Sequence, residues 1–139
     1  MIKAQKYSWL NDYIGLPYQL NGRGVSGVDC YGLLCLVFRD RLGVDLPDWR
    51  AADGSAKAAI TILQKQIENE RVGGNAREIF APVDWSVVTV HRAARAHHIG
   101  LAMRCGVLHS DHAYGAEWCP LDRFKTQYPF KLRFWQWQV

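Results

Sequence analysis

Cys30 has the most chemistry to offer. It follows Asp29 and a loop holding Gly22, Gly24 and Gly27, and it opens an apolar pattern at Leu33, Leu34, Val37 and Phe38 with the period of a helix. A cysteine in the first turn of a helix has unpaired backbone N–H groups and the positive end of the helix dipole beside its sulfur. Both favour the thiolate, the form that attacks electrophiles. Taken alone, the same stretch also fits a phosphate cradle, a redox thiol or a core cysteine. A nucleophilic thiol needs a base within hydrogen-bond reach, and that base needs a third group to orient its ring. The candidate bases are His91, His97, His98, His109 and His112.

The elements that would position these groups can be read in order. Residues 3–14 place Ala4, Tyr7, Leu10 and Ile14 at helical spacing, and Gly15 and Pro17 end that helix. Leu16 to Gly22 is an extended approach to the glycine loop. The helix from Cys30 stops near Leu42, where Gly43 suits a left-handed cap. Val44 to Trp49 reads as coil. Asp53 or Ser55 can cap a surface helix over 56–68 with an Ile60, Leu63, Ile67 stripe, closed by Gly73-Gly74. Beyond Pro82 the pattern turns strand-like. Strands are expected at 85–90, at 98–103 and 106–109 as a hairpin turning at Arg104-Cys105-Gly106, and at 130–137. Pro120 to Phe124 reads as a turn or a single helical turn. Helices first and an antiparallel sheet second make an α+β fold. Successive strand residues face opposite sides, so at most one of His97 and His98 can face Cys30. His91 and His112 are expected at the surface.

A chain of 139 residues forms one domain, residues 1–139. The net charge of +4 comes without a dense Lys/Arg block, which argues against nucleic acid as partner. No run is long enough for a membrane span, and the N-terminal residues have no apolar core for a signal peptide. Synthesis in the cytoplasm, with thiols reduced, is therefore expected. Cys30, Cys35, Cys105 and Cys119 contain no C-x-x-C pair and lack metal-ligand rhythm. Cys35 reads as a plain buried thiol.

Several segments together carry a resemblance. Leu16-Pro17-Tyr18, the glycine loop, Asp29-Cys30-Tyr31-Gly32-Leu33, Pro82-Val83-Asp84, His98-Ile99-Gly100-Leu101 and Val107-Leu108-His109 occur in the order found in the NlpC-type cell-wall endopeptidases. These are papain-like cysteine peptidases of bacteria and their phages. The Asp-Cys-Tyr-Gly-Leu form is most similar to phage and prophage tail-assembly members. The likeness covers roughly residues 3–49 and 79–124, leaving a helical insertion around 50–78. It implies a papain-like α+β fold with Cys30 as nucleophile at a helix N-terminus, His98 as general base and His109 as the polar third member. It also implies Tyr18 beside the substrate and backbone N–H groups at the helix start as the oxyanion hole. Asp29 is expected to cap the helix beside the substrate site, and Tyr31, where many bacterial members carry Ser, to shape the pocket next to the sulfur. His97 is the rival base. No cofactor or metal is required. Leu20-Asn21-Gly22 replaces a commoner Gly-Gly, and Pro82-Val83-Asp84 a commoner Pro-Gly-Asp.

The expected activity is hydrolysis of an amide bond in the peptidoglycan stem peptide, with delivery to the cell wall in a phage tail or after lysis. Other phage tail proteins are then expected partners. Two alternatives stay open at this level: a tail-tip assembly protein that keeps the fold without turnover, and a thiol amidase or acyltransferase on another substrate.

Overall fold

The structure, a computed structural model, describes residue 2 and residues 5–50, 56–93 and 95–137. The first element, Gln5–Asp12, is a 3₁₀ helix rather than the expected α-helix. Three residues per turn put Tyr7, Leu10 and Tyr13 in one row. Leu10 and Tyr13 are buried, while Ile14, expected on the apolar face, is exposed; Ala4 lies outside the described residues. The glycine loop folds as a minimal antiparallel hairpin, β1 (Arg23–Gly24) with β2 (Gly27–Val28). It leads into α1 (Cys30–Leu42), capped at its C-terminal end by Gly43 at φ 66° as its sequence suggests.

The helix α2 (Ala56–Val72) runs one turn beyond its expected end, stopping at Gly73. Of its expected stripe, Ile67 is buried; Ile60, Leu63 and the caps at Asp53 or Ser55 lie outside the described residues and side chains. Then come β3 (Ala76–Ile79), β4 (Ser86–Arg92), β5 (Arg95–Met103), β6 (Gly106–Asp111), β7 (Gly115–Pro120), α3 (Leu121–Gln127) and β8 (Lys131–Trp137). The six longer strands form one antiparallel sheet in the order β3-β8-β4-β5-β6-β7. The α+β arrangement and the β5–β6 hairpin turning at Arg104-Cys105 match the sequence. β3 and β7 do not announce themselves there.

Both faces of this sheet are covered, which is why β4 is buried from Ser86 to His91 instead of alternating. On one face Val87, Ile99, Leu101 and Leu108 pack with Leu33, Leu34, Val37 and Phe38 of α1 in the main core. On the other, Val88, Val90, Ala102, Val107 and Phe134 pack with Phe124 of α3. Asp84 ties two distant parts together: it pairs with Lys6 at 2.8 Å, accepts from Tyr7 Oη at 3.0 Å, and accepts from the Arg104 backbone N–H at 3.0 Å. Pro82-Val83-Asp84 thus pins the 3₁₀ helix to the β5–β6 turn. Among the described residues no helix is long and apolar enough to cross a membrane.

Candidate active site

Cys30 is the first residue of α1, and Asp29 is its N-cap, accepting the Gly32 N–H at 2.7 Å. The other Asp29 oxygen accepts the Asn21 N–H at 2.8 Å, and Arg23 Nη1 donates to Oδ1 at 2.9 Å. Arg23 reaches on to the Gly22 carbonyl, to Asp48 and to the Trp49 carbonyl. The hairpin is therefore clamped against the start of α1 by one buried carboxylate and one guanidinium. Gly32 makes this possible: a Cβ there would stand 1.9 Å from the Gly22 carbonyl oxygen. The glycine of Asp29-Cys30-Tyr31-Gly32 is needed for that close approach of backbone to helix.

The sulfur is half-buried and takes backbone N–H groups from Ile99 and Tyr31, which favour the thiolate. Burial and the Asp29 carboxylate outweigh them and push the thiol up to about 12. The helix terminus alone would predict the opposite shift. Burial and then the nearby Cys30 push the Tyr18 phenol up to about 12, while Tyr128 is raised by burial and by Asp111, with Cys30 a minor cause.

Cys30 thus meets β5 at Ile99, the residue next to His98, where the β5–β6 ladder stops at Leu101 and Leu108. His98 Nε2 lies 2.9 Å from His109 Nδ1 on β6, the two rings nearly perpendicular. Gly100, two residues along β5 from His98, lies across from His109. A Cβ at Gly100 would come within 3.1 Å of His109 Cβ, so its absence gives the His109 ring room beside His98. Tyr128, just past α3, stacks over His98 at 4.7 Å and donates its hydroxyl to Asp111 Oδ2 at 2.9 Å. Phe124 meets His109 edge-on. Burial and the neighbouring His109 bring His98 down to about 3, so its imidazole is held neutral. With Nε2 engaged by His109, Nδ1 is the remaining ring nitrogen. His109 is fully buried, and its Nε2 faces Glu117 Oε1 on β7 at 3.1 Å.

A thiol, a neutral imidazole and a second imidazole can exchange protons and support acyl transfer. The family model described as the NlpC/P60 family matches residues 15–106, more than half of the chain. The chain belongs to the NlpC/P60 family.

Solved structures with this fold include the NlpC/p60 domain of the peptidoglycan hydrolase SagA, at 15% identity and a TM-score of 0.59, covering 89% of this chain and 90% of that one. An NlpC/P60 family protein from Bacillus cereus matches at 14% identity and 0.59 over 89% of this chain. NlpC1 from Trichomonas vaginalis matches at 14% and 0.58 over 91%. The chain spans only 36% and 42% of those two longer proteins. No curated protein sequence matches it.

Within this NlpC/P60 domain the other sequence candidates fall as follows. Tyr18 is half-buried near Cys30, its ring edge-on to the exposed His112 at 6.3 Å. Tyr31, expected to shape the pocket, is a buried residue of the first turn of α1, stacked on Trp49 at 4.5 Å with its hydroxyl donated to the Pro47 carbonyl at 2.6 Å. Both Asp29 oxygens are engaged within the protein, one capping α1 and the other holding the Asn21 N–H of the approach to the hairpin. His97 turns to Phe130 and Arg92 and does not meet His109. His91, expected at the surface, is buried: its Nε2 lies 2.7 Å from Thr89 Oγ1, which also accepts the Trp135 Nε1–H. Cys35 is half-buried, Cys105 exposed, and Cys119 buried beside Arg123. Among the described residues, no group of three or more His, Cys, Asp or Glu is arranged to hold a metal ion. Sequence reasoning missed Glu117, Tyr128 and Arg23. A Glu between Ala116 and Trp118 in a Gly-to-Pro segment was the only signal for the first.

Proposed function

We propose that this NlpC/P60 domain is a cysteine endopeptidase that hydrolyses an amide bond in peptidoglycan stem peptides. The reading rests chiefly on the His98–His109 contact, set beside the strand residue whose N–H meets the Cys30 sulfur. Cys30 is the nucleophile and His98 the base, receiving the thiol proton on Nδ1. His109 holds the His98 ring. The sulfur attacks the amide carbonyl, and backbone N–H groups at the start of α1 stabilise the oxyanion. As the carbon–nitrogen bond breaks, His98 returns the proton to the leaving amine. Water then attacks the thioester with His98 again as base, restoring Cys30 and releasing the acid. Tyr18, at the cleft edge, contacts the substrate. Action at the cell wall after carriage in a phage tail, or after lysis, belongs to the same proposal and rests on the Asp29-Cys30-Tyr31-Gly32-Leu33 form.

Digestion of peptidoglycan and of synthetic stem peptides, followed by mass spectrometry, tests the mechanism. Wild type releases new amine and carboxylate termini, and Cys30→Ala releases none. Equal cleavage by both proteins would overturn it.

A further inference from the structure

His109 and Glu117 are direct cross-strand partners in the β6–β7 register. Neighbours of that kind have side chains close enough to interact. Here His109 Nε2 and Glu117 Oε1 are 3.1 Å apart, both shielded from solvent, and neither has another hydrogen-bond partner. The contact lies off the line of an ideal hydrogen bond, so it acts mainly through charge: a carboxylate attracts an N–H and repels a lone pair. His109 Nδ1 is already committed to His98 Nε2 at 2.9 Å.

A neutral imidazole carries one N–H and one lone pair. That rule leaves the two linked rings only two arrangements. In the first, His109 holds its proton on Nε2 toward Glu117, its Nδ1 accepts from His98 Nε2–H, and His98 Nδ1 carries a lone pair. In the second, every proton is shifted: His109 donates from Nδ1, a lone pair faces the carboxylate, and His98 holds its proton on Nδ1. Only the first leaves His98 able to take a proton from a thiol. Without a charge at the far end, nothing in the ring pair itself decides between them.

We propose that Glu117 is a positioning residue that sets the tautomers of both histidines, acting through His109 to keep His98 Nδ1 unprotonated. The inference rests on the reading of His98 as the base. The charged and titratable groups around His109 include His98 on β5, Asp111 on β6, Glu117 on β7, Arg123 on α3 and the Tyr128 phenol just past α3. Glu117 is the one whose carboxylate lies against Nε2. When His98 becomes imidazolium, the same carboxylate stabilises that positive charge electrostatically across His109.

Long-range proton–nitrogen NMR correlations report which nitrogen of each ring is protonated, without any substrate. In wild type at neutral pH, His98 and His109 are both expected as the Nε2–H form. Glu117→Ala is expected to shift part of the His98 population to Nδ1–H and to lower kcat by at least about tenfold with little change in KM. Glu117→Asp retains most of both properties. Glu117→Gln keeps the volume should the alanine variant not fold, and populates both arrangements because an amide offers either an acceptor or a donor. His98 protonated on Nδ1 in wild type, or tautomers unchanged in folded Glu117→Ala and Glu117→Gln, would overturn the proposal. Cleavage by Cys30→Ala would remove the peptidase mechanism yet leave the tautomer result standing, so the two failures are distinguishable.

Discussion

In the proposed mechanism, moving one proton from Cys30 Sγ to His98 creates thiolate and imidazolium together, so charges that burial disfavours singly offset each other. Taken separately, the thiol is held up at about 12 and the imidazole down at about 3. On that proposal the reactivity of the sulfur depends on the ring, not on the helix terminus alone. For His98→Ala, alkylation of Cys30 by iodoacetamide at pH 7 should fall about tenfold or more and recover only as the pH rises toward the thiol's own range. Peptide mass spectrometry must follow Cys30 specifically, because Cys105 is exposed and will also react. An unchanged Cys30 rate would mean that its ionisation does not need His98. Cys30, His98 and His109 could be picked out as candidates because each lies in a motif. Glu117 was not, because it reaches the site through strand pairing, which a single sequence does not display.

At the scale of elements, the hairpin and α1 form one unit whose fit is set by Gly32. A methyl group there meets backbone, not a flexible side chain, and backbone cannot move aside cheaply. Gly32→Ala should therefore cost about 2–3 kcal/mol, the upper part of the overpacking range, and lower the urea midpoint accordingly. An unaltered midpoint would show that the hairpin does not depend on this contact. The helices α1 and α2 and the β5–β6 hairpin were legible from apolar period and glycine punctuation. The first helix was misread as α because Tyr7, Leu10 and Ile14 fit a period of 3.6; the buried row Leu10 and Tyr13 follows a period of three. β3 went unread because it is a four-residue edge strand with Arg77 and Glu78 exposed in succession, and β7 because its burial runs in pairs instead of alternating. His91 was misplaced for a related reason: its partner Thr89 lies two residues away on the same strand, and Trp135, which shares that hydroxyl, comes from a distant strand.

For the whole molecule, buried neutral histidines make stability depend on pH. His91 is lowered to about 4 and His98 to about 3, chiefly by burial, and His97 and His109 are lowered as well. In the unfolded chain each returns to about 6.5. Below that pH the unfolded state binds more protons, so stability is full above 6.5 and is lost as pH falls toward the folded values. Two such histidines give a slope approaching about 2.7 kcal/mol per pH unit below 6.5. Urea midpoints measured between pH 7 and 5 should drop accordingly, and His91→Gln should flatten the slope. A flat wild-type profile would contradict the neutral assignment. Carboxylates held low by their partners, such as Asp84 beside Lys6 and Glu78 beside Arg133, add their loss at more acid pH.

Trp9 of the 3₁₀ helix lies face to face with Trp85, the residue before β4, at 5.0 Å and 2° between planes. Two indoles so close and so nearly parallel couple their electronic transitions, and the excitation is shared between them instead of residing on either ring. The folded protein thus carries an optical signature of one particular junction, between its first described helix and the sheet. That signal vanishes when the N-terminal segment lifts away, even while the sheet itself stays intact.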